Sequence, residues 1–150
     1  MQTFKQIQYQ IGERGELRGH QLLFMRITEN LGELVALENG SGVGAVVGDT
    51  ALRLCEYCCL ANVAFPTRVV QTRSGMYDAM NGLVIWLGRL CGAHRLYQSK
   101  EVFEKAQAEA LRGFVWHLEL YAKDFAKTNL LMELNQRWNE IEARLMKKDQ

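Results

Sequence analysis

The sequence predicts an all-α fold, a bundle of five or six helices, and three observations carry that expectation. Pro66 is the single proline in 150 residues, so strong helix breakers are scarce. No Thr/Val/Ile-rich alternating run bounded by turns marks a strand. Apolar residues recur three and four apart over most of the chain, the spacing of one buried helical face.

Each element follows from that spacing. A first short helix is predicted over Thr3 to Glu13, ending near Gly15. A second runs from about Gly19 to Glu38, with Leu23, Phe24, Ile27, Leu31, Leu34 and Val35 on its buried face and Asn39-Gly40 as a left-handed stop. Asp49 is read as the N-cap of a third helix continuing to about Ala64. Pro66 ends it, because proline pushes the preceding residue out of helical geometry. A fourth helix near Gly75 to His94 aligns Met76, Met80, Leu83, Leu87 and Leu90. Ser99 caps a long fifth helix with Phe103, Ala106, Ala110, Phe114, Leu118, Tyr121 and Phe125 as its seam. In the sixth, Leu131, Leu134, Trp138, Ile141 and Leu145 form the cleanest seam of all. The pairs Glu133 with Arg137 and Glu140 with Arg144 are spaced to add modest helix support outside it.

Length points to one domain, residues 1–150, large enough to fold without a metal or disulfide. Lys and Arg number 18 against 17 Asp and Glu, for a formal net charge of +1. No basic stripe marks a DNA or RNA binder, although the phosphates of one small nucleotide remain compatible with this balance. The polar N-terminus has no signal pattern. The most apolar run, Gly82 to Gly88, is far short of the roughly 20 residues that span a bilayer. A cytoplasmic protein that does not engage membranes is expected. Cys55, Cys58, Cys59 and Cys91 should then be reduced thiols. The apolar seams, above all Leu131 to Leu145, suggest a homo-oligomer, in the simplest case a dimer.

The chemistry-bearing stretch is ITENLGELVALENG, Ile27 to Gly40. Glu29 and Glu33 stand four apart and project side by side on a helix. Mg²⁺ takes hard oxygen ligands, often one or two protein carboxylates with water and substrate phosphates. A bundle that gathers such pairs from facing helices can activate water against a phosphoryl group. Asp49 and Glu56 share a face of the third helix, with Arg53 between them, and could supply a second pair.

The segment LLFMRITENLGELVAL resembles the first motif helix of the MazG-like all-α nucleoside-triphosphate pyrophosphohydrolases, a Glu-x-x-Glu within a Leu-x-Glu-Glu-Leu-Gly-Glu-Leu pattern. TFKQIQYQI is similar to the short opening helix of that family, RGFVWHLELYAKDF to its second motif helix and LNQRWNEIEARL to its terminal one. The resemblance implies Mg²⁺ held by four acids and cleavage of a nucleoside triphosphate to monophosphate and pyrophosphate. Glu33 matches the second motif glutamate and would be the catalytic ligand, with Glu29 beside it. Asn30 stands where the first motif glutamate is expected. Ala110 and Gly113 stand where the second motif has Glu and Asp, with Glu109 one place out of register and turned by about 100°. Glu109, Asp49 and Glu56 complete the candidate metal ligands.

Rival readings come from other residues. A non-catalytic helical interaction protein, an adaptor or inhibitor, would need none of these acids. Cys55 and Cys58 with Cys91 and His94 compose a Cys₃His set suited to Zn²⁺, but inside apolar helices they read better as core. The run GSGVGAVVG, Gly40 to Gly48, contains Gly-x-Gly-x-x-Ala without the preceding strand that a dinucleotide fold requires. It is read as a flexible interhelical connection. Of the histidines, His117 adjoins the fifth seam and is read as structural or partly exposed.

Overall fold

Thr3 and Gln6 open the first helix reciprocally. The Gln6 N–H donates to Thr3 Oγ1 at 3.2 Å and the Thr3 N–H to Gln6 Oε1 at 2.9 Å. This capping box satisfies two donors that a helix start otherwise leaves open. The computed structural model describes residues 1–14, 17–37, 41–67 and 79–148. Their regular structure is entirely helical: α1 Phe4–Arg14, α2 His20–Leu37, α3 Val43–Ala61, α4 Ala79–Arg95, α5 Lys100–Phe125 and α6 Leu130–Lys148. The all-α bundle of six helices is thus the observed architecture. The Asn39-Gly40 stop, and the expected start of the fourth helix with Met76, fall outside the described residues. Contacts group the chain into two units, Met1–Phe65 with Ala122–Gln150, and Pro66–Tyr121.

In the first unit α3 is central and packs against α1, α2 and α6. Its sequence is apolar on every side, and residues from Val43 to Cys58 are buried around its whole circumference. α2 contributes Leu23, Phe24, Ile27, Leu31 and Leu34. Val35, expected on that face, is 57% exposed. α6 contributes Leu134 and Trp138 to this core, while Leu131, Ile141 and Leu145 of its seam are half-buried.

Two boundaries of α3 differ from expectation, each for a physical reason. The helix begins at Val43, not at Asp49, and takes in most of the glycine-rich run that read as a loop. A Cβ on Gly48 would lie 2.6 Å from the carbonyl oxygen of Glu133. At Gly48 α6 passes too closely for a side chain, and that packing overrides glycine's poor helix propensity. At the other end, α3 stops at Ala61, well before Pro66. Asn62 adopts a left-handed conformation (φ 56°, ψ 45°), and Val63 N–H reaches back to Cys58 O at 3.0 Å. This is a Schellman-type stop with asparagine in place of glycine.

α1 buries only Ile7 and Ile11 and is docked largely by amides. Gln8 Nε2 donates to Val63 O at 2.7 Å, and Phe65 N–H donates to Gln8 Oε1 at 2.9 Å. Trp138 Nε1 donates to Gln10 Oε1 at 2.7 Å. The buried Asn135 exchanges two 2.8 Å bonds with the backbone of Gln2. Phe4 stacks on Phe65 with ring centroids 4.6 Å apart. The polar alternation of the N-terminal sequence is the pattern of these clamps.

In the second unit α4 and α5 approach through paired glycines. A Cβ on Gly82 would lie 1.9 Å from the His117 ring, and one on Gly113 would lie 2.2 Å from the Trp86 ring. Each ring therefore fills the place of a missing side chain on the opposite helix. Ser99 Oγ accepts the Val102 N–H at 3.3 Å, capping α5 as expected. Asn129 caps α6 in the same way, accepting the Met132 N–H at 2.9 Å.

Candidate functional site

Glu29 and Glu33 are both exposed on α2, opposite its buried face. Glu29 lies 3.5 Å from Arg26, an exposed pair along the helix. The other two candidates of this unit lie on α3, the helix that packs against α2, but each holds an arginine. Asp49 pairs with Arg137 of α6, which also reaches Glu140 at 3.2 Å. Burial disfavours the Arg137 charge, yet its bonds to Asp49 and Glu140 outweigh burial and raise its pKa. Glu56 accepts from Arg53 Nη1 at 2.8 Å.

Glu109 is exposed and belongs to the other unit. The motif position Gly113 could not carry an acid without displacing the Trp86 ring. Among the described residues no three His, Cys, Asp or Glu side chains are grouped so as to hold a metal ion. Glu29, Asp49 and Glu56 thus each face an arginine.

The cysteines are apolar in setting, as their helices led one to expect. Burial pushes the Cys55 thiol well above its usual range, with Cys58, Cys59 and Glu56 adding to it, and pushes Cys58 up to about 12. Cys59 and Cys91 are raised by burial as well. Cys91 and His94 belong to the second unit, where the His94 ring meets Phe103 edge-on at 4.8 Å. His117 is fully buried, its Nδ1–H donating to Gly113 O at 2.7 Å. It is structural, and not partly exposed.

What the first unit does assemble is a groove of about 330 Å³ between α1, α3 and α6, within the size range of small-molecule sites. Its floor is apolar, made by Ile11, Leu52, Trp138, Ile141 and Leu145. Among the described residues five cations surround it, Arg14, Arg18, Arg53, Arg144 and Lys148, and Glu56 is the one carboxylate in the lining. Arg14 is partly balanced by Glu142 at 3.3 Å. Arg18, Arg144 and Lys148 have no ion pair among the described residues. In a chain of net charge +1, this is a local concentration of positive charge over an apolar surface. It suits a ligand with an anionic end and a flat apolar body.

The groove is not apparent in the sequence, because its cations come from positions 14, 18, 53, 144 and 148, on three helices and the stretch before α2. One signal was available: Arg144 and Lys148, four apart on α6, lie on the same helical face as Ile141 and Leu145. The i,i+4 spacing in the sequence pairs Arg144 with Glu140. The structure gives Glu140 to Arg137 and leaves Arg144 at the groove. The chain matches no family model, no curated protein and no solved structure, so the reading that follows stands on residues and geometry.

Proposed function

We propose that the protein binds a nucleotide in the groove between α1, α3 and α6, as a divergent, non-hydrolysing relative of the MazG-like nucleotide pyrophosphohydrolases. The observation that carries this reading is the cationic rim over the Trp138 floor. Arginine and lysine take phosphate oxygens through charge-assisted hydrogen bonds, while a base and ribose cover the apolar floor. The carboxylates of α2 and α3 contribute no Mg²⁺ step, because three of the four are turned to arginines.

Thermal denaturation with nucleoside triphosphates, their parent nucleosides and tripolyphosphate tests the proposal. A ligand at a hundredfold excess over its Kd stabilises the native state by about 2.7 kcal/mol, roughly 5–11 °C for a chain of this length. Triphosphates should give such a shift at low salt and nucleosides should not. Arg144→Ala with Lys148→Ala should remove most of it. A flat response to every nucleotide at millimolar concentration would overturn the reading and leave a helical interaction protein. Pyrophosphate release with Mg²⁺, abolished by Glu33→Ala, would instead restore the hydrolase assignment.

A further inference from the structure

Glu56 is the one carboxylate among the described residues of a groove otherwise lined by cationic and apolar side chains. It lies one turn from Leu52 on the same face of α3 and is 9% exposed. Its Oε1 is held by Arg53 Nη1 at 2.8 Å, while Oε2 is buried with no hydrogen-bond partner among the described residues. A buried carboxylate oxygen left open is costly, and only a donor can satisfy it. We infer that Glu56 reads the base of the bound nucleotide and selects guanine.

This inference rests on the nucleotide reading of the groove and adds to it a choice of base. Base edges differ in what they offer a carboxylate. Guanine sets its N1–H beside its 2-amino group, two donors on one edge that two carboxylate oxygens can accept together. Adenine and cytosine each set an amino donor beside a ring nitrogen that is an acceptor and repels the carboxylate. Uracil flanks its single N–H with two carbonyl oxygens. Guanine alone meets Glu56 without an opposed acceptor, while the cations at the rim hold the phosphates. Arg53 has a second part in this arrangement, fixing the carboxylate in place before the base arrives.

Binding of GTP, ITP and ATP to the full chain, measured by calorimetry at one low salt concentration, tests the assignment. ITP keeps N1–H but lacks the 2-amino group. The expected order is GTP, then ITP, then ATP, with GTP roughly tenfold or more tighter than ATP, as a two-donor contact commonly discriminates. Glu56→Gln, which keeps the shape and turns one acceptor into a donor, should bring GTP and ATP within about threefold. The comparison in the unaltered protein decides the matter even if the variant fails to fold. Equal binding of GTP and ATP would overturn base selection by Glu56 and leave the groove reading standing. Absence of binding by all three would overturn both.

Discussion

Replacing Gly48 by alanine tests the account of how α3 and α6 meet. Away from other contacts, alanine in place of a helical glycine stabilises by about 1 kcal/mol. At position 48 the added Cβ would sit 2.6 Å from Glu133 O and 3.1 Å from Glu133 C. Both are backbone atoms that cannot swing aside. Restoring an ordinary 3.4 Å contact requires α6 to withdraw by about 0.8 Å, loosening the packing around Leu134 and the Asp49–Arg137 pair. Overpacking typically costs about 1–3 kcal/mol, and contact with unyielding backbone puts this case at the upper end, about 2–3 kcal/mol. With the propensity gain subtracted, Gly48→Ala should destabilise by roughly 1–2 kcal/mol, or about 2–8 °C in Tm. Two other glycines supply the contrast. Gly32→Ala on α2 meets nothing within 4 Å and should stabilise by about 0.4–1 kcal/mol. Gly44→Ala meets only the Glu133 carboxylate, at 2.9 Å, the movable end of a side chain, and should be near neutral. Urea unfolding followed by far-UV circular dichroism measures all three. A Gly48→Ala protein as stable as the parent, or a Gly32→Ala protein that falls with it, would refute the close-approach account.

Alkaline stability should follow the buried thiol of Cys58, whose pKa is raised from 9.0 to about 12 by burial first and by Cys59 second. The folded chain holds that proton more tightly than the unfolded one. The resulting stability is complete below pH 9.0 and is lost as pH rises toward about 12, on the order of 4 kcal/mol in all; chemical denaturation across that range should steepen there, and Cys58→Ala should flatten the trend. Asn135→Ala removes both bonds to Gln2 and one to Leu131 O at 2.9 Å, for an expected loss of about 2 kcal/mol. Hydrogen exchange should quicken at the start of α1, and an unchanged exchange pattern would contradict the clamp.

Where apolar spacing governs, the fold was legible: α2, α5 and α6 lie close to the spans their seams predict, and Ser99 caps where expected. The start of α3 was not, because Gly48 answers to the backbone of α6 at Glu133 rather than to its own neighbours in sequence. Pro66 was a stronger local signal than Asn62, yet Asn62 ends the helix by taking a left-handed turn that sequence alone permits without requiring. The carboxylate pattern at Glu29 and Glu33 was visible as i,i+4 spacing, but that spacing is equally the signature of a solvated face, and both residues are exposed. The groove shows the converse. Its parts are ordinary surface arginines until three helices set them around Trp138.

The seating of Trp86 over Gly113 and of His117 over Gly82 leaves the α4–α5 hairpin one alignment. Sliding either helix by a single turn, about 5.4 Å, would set the indole opposite Glu109 or His117 instead of a bare backbone. Hydrocarbon faces alone tolerate such slippage, since one leucine resembles the next. Two flat rings, each with a single vacancy to occupy, do not.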